Sequence, residues 1–135
     1  MLDNLDQLLN SSESGLSCEK SDGVFIVTHE DQTGDMPIYV MIDNDQMLAY
    51  APVCKVSDVK SEAEFNQQVL KASVMLPLAA IGVMEMGADQ CYVVFGQCEL
   101  PVSAGDEVLL STVVNQLTAI SSSVIDVTEI VSEHL

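Results

Sequence analysis

Few side chains in this sequence are suited to act on a substrate. The two histidines, His29 and His134, each lack a cysteine or second histidine at metal-ligand spacing, and a zinc site needs more ligands than these provide. The four cysteines, Cys18, Cys54, Cys91 and Cys98, contain no C-x-x-C pair. Cys91 and Cys98 fall in a β-rich run with no basic neighbour to lower a thiol pKa, so buried structural thiols are expected rather than nucleophiles. Asp43-Asn44-Asp45 resembles the opening of a calcium loop. It lacks the third ligand, the glycine and the terminal glutamate in register, and is expected to be a hairpin turn. Carboxylates are plentiful, but nothing in the sequence pairs two of them for acid–base work. No catalytic, metal or cofactor-binding residue is assigned, and a non-enzymatic protein is expected. A small carboxylate-dependent enzyme is the alternative from another class.

Charge narrows the range of partners. The chain has 21 acids against four lysines (Lys20, Lys55, Lys60 and Lys71), no arginine and a net charge of −17. Such a surface repels phosphate backbones, anionic lipid headgroups and ATP. Without an arginine or a lysine cluster, nucleic-acid binding lacks its main source of affinity. A basic protein, a basic helix or a cation is the favoured partner. Apolar residues make up 48% of the 135, enough for a core in one domain spanning 1–135. The N-terminus from Met1 to Asp6 does not read as a secretory signal. The longest near-apolar run, Ala72 to Met84, is too short to cross a bilayer. A cytoplasmic protein with reduced thiols and no membrane insertion is therefore expected.

The elements follow from periodicity and turn residues. Leu2, Leu5, Leu8 and Leu9 predict a short helix starting near Asp3 or Asn4, ended by Ser11-Ser12-Glu13-Ser14-Gly15. Val24–His29, Ile38–Ile42 and Met47–Val53 read as an antiparallel meander, with turns at Glu30–Asp35 and Asp43–Asp45. Ser61-Glu62-Ala63-Glu64 reads as a capping box for a helix that Pro77 stops. Leu78–Met86 and Gln90–Glu99 form a hairpin around Gly87-Ala88-Asp89. Met41, Met47, Met84 and Met86 flank the hairpin turns and are expected to fill core. Ser103 is the expected cap of the final helix, with Asp106 and Glu107 in its first turn. The fold class is α+β, a five-stranded antiparallel sheet with three helices near 3–10, 62–76 and 104–132. The order is α-β-β-β-α-β-β-α.

The last helix carries the longest pattern. Leu110, Val113, Leu117, Ile120, Val124, Val127 and Val131 recur at alternating spacings of 3 and 4, a helical stripe. At 1.5 Å per residue the helix is about 42 Å long, more than a domain of this size is expected to cover alone, and Ser121-Ser122-Ser123 is a place for it to bend or fray. Two strands are apolar on both faces: Cys91, Val93 and Phe95 oppose Tyr92 and Val94, while Ile38, Val40 and Ile42 oppose Tyr39 and Met41. One apolar face suffices for a sheet covered on one side. A homodimer is therefore expected, with Leu117, Ile120, Val124, Val127, Val131, Tyr92 and Val94 as the candidate self-association or partner surface.

The element order, size and acidity resemble the type III secretion chaperone-like fold of small acidic homodimers. Leu76-Pro77-Leu78, Ile81-Gly82, Tyr92-Val93-Val94-Phe95-Gly96 and the acidic start of the last helix also resemble a YjfI-like bacterial family of unknown function. Members of that family are often encoded beside a homologue of phage shock protein A, a coiled-coil membrane-remodelling protein. The resemblance implies an acidic protein-binding module accompanying such a partner in envelope stress. The chaperone-like fold implies the alternative, a chaperone holding an extended effector segment.

Overall fold

The computed structural model describes residues 4–12, 14–29, 36–76 and 78–135. The expected helix start at Asp3, Glu13 of the first helix stop, the turn at Glu30–Asp35 and the stop at Pro77 lie outside them. The elements run α1 (Leu5–Asn10), β1 (Leu16–Ser21), β2 (Val24–His29), β3 (Ile38–Asp43), β4 (Gln46–Lys55), a 3-10 turn (Val56–Asp58), α2 (Glu62–Ser73), β5 (Ala80–Met86), β6 (Asp89–Glu99) and α3 (Asp106–Ser132). Among the described residues the strands form one six-stranded antiparallel sheet, ordered β1-β2-β3-β4-β6-β5.

The expectation of five strands falls short by β1. Its Leu16 and Cys18 point inward, but its other residues are polar and mask the alternation. The signal for it is Asp22-Gly23, which from sequence alone reads as the opening of β2 and here has φ of 50° and 79°. Positive φ at both central residues is the geometry of a two-residue hairpin turn, for which Asp-Gly is a preferred pair. The expected turns at Asn44 and Gly87 are present, also with positive φ. The Asn10 side chain closes the outer edge of β1: its amide nitrogen donates to the Cys18 carbonyl (2.7 Å), and its oxygen accepts from the Cys18 N–H (2.8 Å). One side chain thus stands in for a neighbouring strand on an edge that would otherwise expose unpaired backbone.

The helices share one face of the sheet. Leu5 and Leu9 of α1, Phe65 and Val69 of α2, and Leu109, Val113, Leu117, Ile120, Val124, Val127 and Val131 of α3 form the core with Val27, Ile38, Val40, Ala49 and Val94. Leu109 is buried where the sequence pattern put Leu110, which is only partly buried. Two expected caps are absent: Ser61 makes no side-chain cap bond and has φ 54°, and the cap position of α3 is Gly105 rather than Ser103. The acidic first turn of α3, Asp106 and Glu107, is present.

α3 does not need a partner at its far end. It packs chiefly along β4 and β6, strands of 10 and 11 residues and thus about 34–37 Å long. Its 27 residues span about 40 Å, so a helix running along those strands is covered over most of its length. The end is tied down by the chain itself. The Lys60 N–H donates to the His134 carbonyl (2.7 Å), and the His134 ring meets Phe65 edge-on at 5.4 Å. Ser121-Ser122-Ser123 does not interrupt the helix: Ser121 and Ser123 are buried, and the Ser123 hydroxyl donates to the Ala119 carbonyl at 2.9 Å. By length and composition α3 would also pass as a membrane span, but here its apolar side is the core.

Candidate protein-binding face

Strand register sorts every side chain onto one of two faces. All seven residues expected as an association surface lie on the covered one. Leu117, Ile120, Val127 and Val94 are completely buried, and Val124, Val131 and Tyr92 nearly so. This corrects the sequence reading: the stripe and the Tyr92/Val94 parity belong to the core, because α2 and α3 pack there. Tyr92 touches the Phe65 ring (centroids 4.7 Å) and donates to Asn66 Oδ1 at 2.7 Å. Burial, then the charges of Glu62 and Cys54, raise its pKa.

The opposite parity carries the uncovered surface. Pairings Ile26↔Tyr39, Tyr39↔Tyr50, Tyr50↔Phe95 and Phe95↔Ala80 set one residue from each of five strands side by side. At about 4.8 Å per strand the row is roughly 19 Å wide. No described helix packs on it, and all five residues are partly exposed. The Tyr39 and Tyr50 rings stack at 5.4 Å, and burial followed by Tyr39 raises the Tyr50 pKa. Phe95 lies over Gly82, where an added Cβ would come within 3.0 Å of its ring, so the missing side chain lets the ring lie flat across β5. Met41↔Leu48 extends the surface on one side and Pro52 on the other, while Val93, which pairs with Pro52, is itself only 3% exposed. Of the four methionines near the turns, Met47 fills core, while Met41, Met84 and Met86 share the parity of the open row.

Charge frames this surface with one sign. Glu19 pairs with Ile26 at one end of the row, and Asp43 and Glu99 sit at the strand ends beside Gln46. Lys55 shares this face but lies 3.4 Å from Asp89, which uses its charge. The sequence sets Cys91, Val93 and Phe95 opposite Tyr92 and Val94, and Tyr39 and Met41 opposite Ile38, Val40 and Ile42, but the expected partner surface took Tyr92 and Val94 from β6 and did not include Ile26, Leu48 or Tyr50. Their signal was available in the two-residue alternation of β2 and β4.

The remaining chemistry is muted. Cys18 is raised from the ordinary 9.0 to about 11 by burial, then by Asp6 and Glu19, and Cys54 likewise by burial, Asp58 and Cys91. Burial also raises Cys98. Thiols held protonated are poor nucleophiles. Among the described residues no three His, Cys, Asp or Glu side chains gather as a metal site.

The fold has solved counterparts. YbjN from E. coli superposes with a TM-score of 0.67 at 14% identity, over 96% of this chain and 92% of that one. A chain of the HopA1-SchA chaperone-effector complex matches with a TM-score of 0.53 at 12% identity, over 93% and 90%. A chain of the ExsC-ExsE complex matches with a TM-score of 0.53 at 11% identity, over 97% and 96%. At such identities the likeness is one of fold. In sequence, the uncharacterized protein YjfI of Escherichia coli strain K12 is 27% identical over 122 residues, 90% of this chain and 86% of the relative. Two glycines have structural work here: Gly82 admits the Phe95 ring, and Gly96 lies where a Cβ would sit 2.6 Å from the Leu78 carbonyl. Residues 2–135 match the model of DUF2170, described as uncharacterized proteins conserved in bacteria, and the chain belongs to that family.

Proposed function

We propose that this protein is a non-enzymatic, acidic protein-binding module of the cytoplasm, working as a homodimer. Its uncovered sheet face would hold an apolar segment of a partner with basic residues at its margins. The observation that carries this reading is the row Ile26, Tyr39, Tyr50, Phe95 and Ala80, framed by Glu19, Asp43 and Glu99. Stacked tyrosines and a phenylalanine give a large contact area with few torsions to freeze, and Met41 and Met84 adapt to varied shapes. The acidic frame selects the sign of the partner and speeds its approach. Nucleic acid is the wrong sign for it. Four free cysteines suit a reducing compartment.

The fold's likeness to chains in two protein complexes supports a protein as the ligand. The family resemblance makes a phage-shock-type coiled coil in envelope stress the first candidate, presenting the apolar stripe of a basic helix. An extended effector segment, as a secretion chaperone would hold, is the second. Titration of the labelled full chain with a basic amphipathic helical peptide, and with an extended peptide of the same composition, tests both. Binding is expected to weaken as salt rises and to be lost in Phe95→Asp with the circular dichroism spectrum unchanged. Undiminished binding by a folded Phe95→Asp, or comparable affinity for duplex DNA, would sink the proposal.

A further inference from the structure

The most exposed large apolar side chains are not on the open sheet face. Apart from the C-terminal Leu135, which at 55% equals the last of them, these are Val74 (83% exposed), Met75 (81%), Leu70 (68%), Leu78 (66%) and Val83 (55%). They belong to one stretch: the last turns of α2, the connection after it and the edge strand β5. Leu70 and Val74 stand one helical turn apart on the same side of α2. Scattered exposed leucines need no explanation, but a contiguous group marks an interaction surface.

The connection is built to present them. Leu78 has φ 57°, a left-handed conformation that non-glycine residues adopt rarely. Gln116 of α3, 4% exposed, reaches through the core and donates its amide to the Leu78 carbonyl at 3.0 Å. Gly96 leaves room for that reach, since a Cβ there would collide with the Gln116 amide. The Ser73 hydroxyl accepts the Ile81 N–H at 3.3 Å. Leu76 and Ala79 pack against the core while Met75 and Leu78 point out. A buried glutamine and a strained leucine thus hold an apolar tip in water.

Charge identifies the occupant. From Phe65 to Met84 the sequence has no Asp or Glu, and its one charge is Lys71, in a chain with 21 acids and a net charge of −17. A basic partner would find no acid within this stretch. A second copy of this chain is repelled at its acidic surfaces but meets little opposing charge here. We infer that this acid-free tip, Leu70, Val74, Met75, Leu78 and Val83, is the surface through which two copies associate. A two-fold contact is self-complementary, so each side chain is used twice. The open sheet faces stay free on both subunits. This inference rests on the homodimer in the proposed function but not on its partner-binding face.

Sedimentation of the full chain tests it. Wild type is expected to be dimeric at tens of micromolar, where a Kd near about 1 μM would be saturated. Val74→Asp and Leu78→Asp should each weaken the dimer by about a hundredfold or more, because a carboxylate would enter an apolar contact on both sides. Their far-UV spectra should stay native, since both positions are exposed. Phe95→Asp should remain dimeric. Added salt should strengthen the dimer by screening the acids of the two copies, opposite to its effect on a basic partner. A monomeric wild type would remove both the dimer and this surface. A dimer that survives Val74→Asp and Leu78→Asp together, dissociates in Phe95→Asp, or weakens with salt would overturn the surface alone.

Discussion

The C-terminal halves of α2 and α3 carry similar apolar spacing and meet opposite fates. Leu70 of α2 and Val74, the C-cap of that helix, recur four residues apart, as Val127 and Val131 do on α3. The α2 pair is 68% and 83% exposed, whereas the α3 pair is 0% and 4% exposed. Position relative to the sheet makes the difference. α3 lies along β4 and β6, the broad middle of the fold, and its end is fastened by Lys60 and Phe65. α2 meets the edge strand β5, and its last turn leads directly into the outward-facing tip. A helical stripe therefore says that a face seeks burial, without saying whether the chain itself supplies the cover.

The sharpest way to break this comparison is a charge in each helix. Val127→Asp places a carboxylate in a fully buried site, with an expected loss of about 4 kcal/mol or more. Urea denaturation should find it largely unfolded. A folded, monomeric Val127→Asp would instead restore α3 as the association surface. Next in size is Gly96→Ala, whose Cβ would press on Gln116 and the Leu78 carbonyl. It should cost about 1–3 kcal/mol by overpacking, seen as a lower urea midpoint at unchanged slope.

Thiols report on the covered side of the sheet. Cys18 and Cys54 titrate near 11 rather than 9.0, so the unfolded chain ionises them first. Their contribution to stability is complete below pH 9 and fades as pH rises through 11. At pH 8 the shift of about two units means roughly a hundredfold less thiolate than in a free cysteine. Iodoacetamide labelling should slow accordingly, and labelling at the rate of the denatured chain would show that this side opens readily. The smallest stability effect belongs to Val74→Asp. At low protein concentration, where a dimer adds nothing, its melting curve should match wild type within about 0.5 kcal/mol. A large loss would mean that the α2 tip is part of the core after all.

Several features were legible in the sequence because they are local. Helical and two-residue periods, Asn44 and Gly87 at turns, and the acidic start of α3 depend on neighbours a few residues away, and they are present much as expected. The two-sided strands also announced an uncovered sheet face. β1 was obscured because only its Leu16 and Cys18 are apolar and buried, so Asp22-Gly23 was its stronger signal. Only the tertiary structure decided which parity of β6 faces the helices, that α3 finds cover within its own chain, and that Gln116 spans 38 residues of sequence to hold Leu78. The physical reason is range. Periodicity records what one element needs, whereas burial depends on which distant element arrives to cover it. Val127 and Val74 carry the same side chain, and their surroundings alone make one core and the other surface.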